Sequence, residues 1–158
     1  MDIRITYGSA NAPTELGAFD KALYEAGIAN YNLIKLSSIL PENSNVIVEK
    51  INWNEKEFGY KLYCVLSSQT EKEVGKEAWA GIGWVKCLDG SEKGLFVEHH
   101  GSSEKEVSDL IDGSLTSMKT YRPEEYGEIN KKLMGLKCEN QPVAALVCAT
   151  YQTENWNV

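Results

Sequence analysis

Residues Ile3 to Tyr7 alternate apolar and polar side chains, the two-residue period of a half-buried strand. A loop of small residues from Gly8 to Pro13 is expected next. From Thr14 to Ala26 the period lengthens: Leu16, Phe19, Ala22, Leu23 and Ala26 fall on one helical face, and Gly27 supplies a left-handed stop. Ile28 onward reads as a strand that meets an exit turn at Pro41, and Asn45–Glu49 is a short β-branched run. After an irregular stretch, Gly59–Leu66 is strand-like, and Ser67-Ser68-Gln69-Thr70 is expected to break it. Glu71–Glu77 could begin a helix, whereas Trp79–Val85, with Gly81 and Gly83 inside it, reads as a strand with close backbone neighbours. Asp89-Gly90 marks a hairpin turn, and Gly94–His100 returns as the partner strand. The clearest helix follows. Ser103 and Glu106 have capping-box spacing, and Val107, Leu110, Ile111, Leu115 and Met118 build one stripe. Asn130–Leu136 and Val143–Tyr151 are the last two strands, the second apolar enough to be buried on both faces. Strands and helices alternating with hairpins predict an α/β layered fold with mixed sheets.

The 158 residues, 42% hydrophobic and 25% charged, suit a single globular domain, 1–158, without repeat or linker. No apolar run approaches the roughly 20 residues of a membrane span. The start, Met1-Asp2-Ile3-Arg4, lacks the layout of a signal peptide, so a cytoplasmic location without membrane contact is expected. A net charge of −7 argues against nucleic acid as a partner and suits a cationic ligand. Cys64, Cys87, Cys138 and Cys148 form no CxxC pair and are expected to be reduced, mostly buried thiols.

Two adjacent hydroxyls, Ser37 and Ser38, stand where the buried strand meets its exit turn. Serine is common in turns because its hydroxyl satisfies local backbone groups, and residue type alone carries no further. The longer stretch AFDKALYEAGIANYNLIKLSSILP resembles the front part of the pyruvoyl-dependent arginine decarboxylases. The likeness lies in an Ala-Phe-Asp helix, an Ala-Gly-Ile stop, an Asn-x-Asn-Leu-Ile strand and a Ser-Ser-Ile-x-Pro exit, in this order and spacing. It continues more loosely through the Gly59-Tyr60 strand, the Gly94–Gly101 strand, the capped helix and the Ala-rich final strand.

The resemblance implies a four-layer α/β/β/α sandwich and a chain that cleaves itself between Ser37 and Ser38. Ser38 Oγ would attack the Ser37 carbonyl, and β-elimination of the resulting ester would leave a dehydroalanine that hydrolyses to a pyruvoyl group and ammonia. The products would be residues 1–37 (the β chain) and 38–158 (the α chain). That covalent pyruvoyl would be the sole cofactor, with no metal and no pyridoxal phosphate. It would condense with L-arginine and draw electrons from Cα as carbon dioxide leaves, giving agmatine.

Glu98 matches the family's catalytic glutamate, which returns a proton to Cα. Its apolar neighbours suggest partial desolvation, which raises a carboxyl pKa; without the resemblance it would be a Glu on a solvated strand face. Asp20 matches the guanidinium-binding aspartate, since a carboxylate holds a guanidinium through two parallel charge-assisted bonds. Asn32 matches an asparagine that assists cleavage, a role an amide would fill by donating to the carbonyl oxygen under attack. Relatives are trimers, sometimes paired, so a homotrimer or a dimer of trimers is implied. Asp20 and the pyruvoyl site would then come from one protomer and Glu98 from the next.

His99 and His100 depart from the resemblance, standing where relatives carry an aromatic and a second acidic residue. Strand alternation puts His100 on the Glu98 face. Two alternatives stay open: the same chemistry on another amino acid such as histidine, and a non-cleaving, non-catalytic oligomeric relative. A hydrolase triad of Ser38, either histidine and Asp20 lacks a Gly-x-Ser-x-Gly elbow around the serine.

Overall fold

A computed structural model describes residues 1–157. Its elements in chain order are β1 (Asp2–Asn11), α1 (Glu15–Glu25), β2 (Asn32–Lys35), β3 (Ile39–Leu40), β4 (Asn45–Val48), β5 (Lys61–Glu71), β6 (Glu77–Lys86), β7 (Gly94–Gly101), α2 (Glu104–Thr120), β8 (Asn130–Lys137) and β9 (Val143–Glu154). The strands form two sheets, ordered β2-β5-β9-β1-β4 and β3-β7-β6-β8. In the first, β1–β4 and β2–β5 pair in parallel while β9 runs antiparallel to both β1 and β5. The second is antiparallel throughout.

The layers follow from which faces are apolar. Thr14 caps α1 by accepting from the Gly17 N–H, and the helix buries Ala18, Ala22 and Leu23 against Leu62, Cys64, Leu146 and Cys148 on the outer face of the first sheet. The inner faces of the two sheets meet through Ile3, Ile5, Val65, Ile82, Phe96 and Val147. Val107, Ile111 and Leu115 of α2 then cover Val85, Leu95 and Val97 on the far side. The result is the four-layer α/β/β/α sandwich that the resemblance implied. All four cysteines are buried and free.

Local propensity and tertiary pairing disagree in a few places. β1 does not stop at Tyr7 but runs to Asn11, since Gly8 lets α1 lie against it: a Cβ there would stand 2.3 Å from the Ala22 carbonyl oxygen. Ser67–Thr70 do not break β5, whose ladder with β9 continues to Glu71 opposite Val143. Buried Ser67 is satisfied there, its Oγ donating to the His99 carbonyl oxygen at 2.5 Å and accepting from the Gly81 N–H at 3.2 Å. Residues 72–76 form a turn rather than a helix start, with Gly75 at φ +90°. Ile28–Tyr31 are irregular, and the strand begins only at Asn32. The Ser103 cap is present, bonding the Glu106 N–H at 3.1 Å, but the Glu106 carboxylate turns to Ser102 N–H and Oγ instead of completing the box.

The helix α2 rests so closely on β6 that Gly83 has no room for a side chain: its Cβ would lie 2.2 Å from Ile111 Cγ2 and 3.3 Å from Leu115 Cδ1. Gly83→Ala must therefore push α2 outward or force Ile111 off its rotamer, at a cost of about 1–3 kcal/mol. Chemical denaturation should register the loss as a lower midpoint with an unchanged slope.

Candidate active site

The segment that joins the sheets is short. Leu36 still belongs to the first sheet, its N–H donating to the Cys64 carbonyl oxygen at 2.8 Å. Ser38 already belongs to the second, its carbonyl oxygen accepting from the Phe96 N–H at 2.9 Å, and Ile39 and Leu40 pair with Leu95 and Gly94. Only Ser37 lies between these anchors. Ser38 pays for the crossing with φ +68°, a left-handed conformation that costs a side-chain-bearing residue about 1–2 kcal/mol. Such strain in a residue without glycine's freedom persists only where surrounding contacts enforce it, and it gathers at functional sites.

Three contacts enforce it. The Phe96 N–H holds the Ser38 carbonyl. The Ser38 hydroxyl donates to Glu98 Oε2 at 2.7 Å. Tyr151 donates its phenol hydrogen to the Ile39 carbonyl oxygen at 2.8 Å. Tyr151 reaches that carbonyl because β9 carries a bulge: Cys64 pairs with Thr150 and Tyr63 with Gln152, leaving Tyr151 without a partner on β5. A bulge re-aims a side chain, here onto the edge of Phe96 at 6.3 Å between ring centroids. Burial first, then the Glu98 carboxylate, pushes the Tyr151 phenol well above its ordinary range, so it remains a donor. Neither a bulge nor a donor at position 151 has a signature in the one-dimensional pattern.

Glu98 follows the buried run Gly94–Val97 on β7 and is itself exposed, which differs from the desolvated carboxyl expected from its apolar neighbours. The reason is topological. β3 pairs with Leu95 and Gly94 alone, so beyond Phe96 the outer edge of β7 has no strand beside it among the described residues. A cavity of ≈ 260 Å³ opens in this notch, lined by Ser38, Phe96, Val97, Glu98, His99, Ser114 and Met118.

The other expected residues are elsewhere in the chain. Asp20 is exposed on α1, on the opposite side of the first sheet from the second. Asn32 stands exposed at the start of β2, its Nδ2 donating to the Gly59 carbonyl oxygen at 2.7 Å. Six residues of extended chain, roughly 20 Å, separate it from Ser38. The division of the site also differs from the implied one, because Ser38 and Glu98 touch within one chain while Asp20 is the distant member. His100, on the Glu98 face of β7 by strand alternation, bonds Gln69, with Nδ1 2.6 Å from Oε1. It is His99 that lines the cavity.

The arrangement places a hydroxyl against a carboxylate that can take its proton, on a residue whose backbone is strained, beside a notch open to a small molecule. Comparison with known proteins points the same way. A family profile described as pyruvoyl-dependent arginine decarboxylase matches residues 2–155. Among curated relatives, a pyruvoyl-dependent arginine decarboxylase of Methanothermobacter thermautotrophicus is 45% identical over 99 residues, covering 63% of this chain and 61% of that protein. Proteins of the same name from Thermoplasma volcanium and Methanococcoides burtonii are 33% identical over 105 residues and 32% over 102. Those two matches cover 66% and 65% of this chain and 58% and 57% of the relatives, so the matched segment spans about three fifths of each relative's length. No helix among the described residues is long and apolar enough to cross a membrane. With nearly its whole length matched, the chain belongs to the pyruvoyl-dependent arginine decarboxylase family.

Proposed function

We propose that this protein cleaves its own Ser37–Ser38 bond, converts Ser38 to a pyruvoyl group, and uses that group to decarboxylate L-arginine to agmatine. The observation that carries the proposal is the 2.7 Å bond from the Ser38 hydroxyl to Glu98 on a serine held at φ +68°. Glu98 accepts the hydroxyl proton as Oγ attacks the Ser37 carbonyl carbon, the bond from that carbon to the Ser38 nitrogen breaks as the proton passes to the nitrogen, and the peptide becomes an ester. Anchoring on both sides, at Leu36 and at Ser38, fixes the approach in advance. A base then takes the Cα proton of residue 38 as the Cβ–O bond breaks, releasing the Ser37 carboxylate and leaving a dehydroalanine, and water replaces the enamine nitrogen as ammonia departs.

In the processed protein the same carboxyl group is the acid that returns a proton to the substrate's Cα. The pyruvoyl supplies the electron sink when bound to substrate, and no other cofactor is required. Asp20, exposed on α1, is the carboxylate for the guanidinium, and Asn32 is the amide for the carbonyl under attack. Both lie away from Ser38 in one chain, so they serve the site of a neighbouring protomer in a homotrimer, or a dimer of trimers.

Intact-mass analysis tests the proposal. Two species are expected, residues 1–37 and residues 38–158, the larger short of one ammonia relative to a serine start. A single full-length mass after prolonged incubation at working temperature overturns it.

A further inference from the structure

The cavity beside Ser38 contains a polar pair that self-cleavage leaves unused. His99 Nε2 lies 2.7 Å from Ser114 Oγ, joining β7 to α2 across the cavity wall. Glu98 and His99 point to opposite faces of β7, yet both line one cavity because the strand is an open edge there. The remaining wall is apolar: Phe96, Val97 and Met118. Whatever enters meets a carboxyl on one side of the strand and the His99–Ser114 pair on the other.

The pair offers one donor in either of its hydrogen-bonded states. If Ser114 donates to Nε2, the ring carries its proton on Nδ1; if Nε2–H donates to Ser114, the serine hydroxyl hydrogen is free. The pair is also uncharged near neutral pH. Burial lowers the His99 pKa, with His100 acting in the same direction and Glu98 opposing it. Gly81, its partner on β6, brings no charge, and on α2 the neighbours lining the cavity are Ser114 and Met118.

Resting on the decarboxylase reading above, the geometry points to the His99–Ser114 pair as the seat of the substrate's α-carboxylate. A neutral donor suits that task. It orients the carboxylate across the strand from Glu98, so carbon dioxide leaves toward the apolar wall and the proton arrives from the other side. A cation in the same place would hold the departing charge in the ground state and oppose its loss. Ser114 lies on α2, more than seventy residues from the serine pair, and nothing in the sequence links the two.

Arginine and agmatine differ only in that carboxylate, and this gives a test a merely structural role would not pass. Processed wild-type protein, His99→Phe, Ser114→Ala and the double variant are compared for arginine KM and kcat and for inhibition by agmatine. The double variant should raise the arginine KM about 10- to 100-fold, the range for a hydrogen bond to a charged group, with kcat little changed. Agmatine inhibition should stay at the wild-type level. Each single variant should fall between, because the partner left behind still offers a donor, and His99→Gln should restore part of the loss. Equal weakening of arginine and agmatine, or no change in either, overturns the assignment while leaving the decarboxylase reading intact. Absence of a cleaved wild-type chain sinks that reading and this one with it.

Discussion

Ser38→Ala will yield a single chain of 158 residues that never separates under denaturing conditions and releases no carbon dioxide from arginine. Alanine keeps the Cβ and so leaves packing nearly unchanged, but removes the one oxygen positioned to attack the Ser37 carbonyl and the bond it makes to Glu98 at 2.7 Å. Without attack there is no ester, without an ester no elimination, and without elimination no ketone. Activity should fall to the uncatalysed level, a loss of at least about a million-fold. Ser37→Ala provides the contrast. Position 37 supplies only its carbonyl, so cleavage should proceed and activity should remain. Should both variants cleave, the bond lies elsewhere; should neither, Ser37 has a part the geometry does not indicate.

Cleaved wild-type chains should stay together in native buffer and part only on denaturation. The 1–37 fragment contains β1, which lies inside the first sheet between β9 and β4, and α1, whose buried face packs on the same sheet. Cutting at Ser37 removes one covalent crossing between the sheets and no strand pairing. A fragment that contributes an interior strand can leave only by unfolding the sheet.

Glu98→Gln carries the second large expected effect. Glutamine has the same shape and keeps an oxygen to accept the Ser38 hydroxyl, so the geometry at φ +68° should persist. It can neither take the hydroxyl proton nor give one to Cα. Self-cleavage should slow, and decarboxylation per mole of processed chain should drop by about 10²–10⁴-fold, the usual contribution of a positioned acid or base. Normalising turnover to cleaved chain, read by mass, separates the two losses. Slow processing with full turnover per processed site would confine Glu98 to cleavage. Normal processing with lost turnover would confine it to the decarboxylation step.

Much of the architecture was legible because it depends on local period. The helix stripe of Phe19, Ala22, Leu23 and Ala26, the capped stripe of Val107, Ile111, Leu115 and Met118 and the apolar run from Val143 follow from side chains that must face one way to be buried, whereas Leu16 and Leu110, read into the same stripes, are exposed in the structure. The misreadings share a cause. Ser67–Thr70 look like a break because serine and threonine prefer turns, yet partners on β9, His99 and Gly81 satisfy them inside a strand. Residues 72–76 have helical composition but too little length between two paired strands to form one. In each case hydrogen bonds from distant residues outweighed a propensity worth a few tenths of a kcal/mol per residue.

The sequence alone determined the two helices, most of the strands, the layered α/β class, and, through the residues 18–41 it shares in pattern with a known family, which serine pair to watch. Tertiary structure alone decided what surrounds that pair. It set Ser38 between two anchored sheets with a left-handed backbone, brought Glu98 to its hydroxyl, aimed Tyr151 at Ile39 through a bulge, and turned His99 rather than His100 to the cavity. Periodicity encodes which way a side chain faces within its own element; which other element it faces depends on how the sheets stack and where a strand edge is left uncovered, and those are set by contacts between residues tens of positions apart.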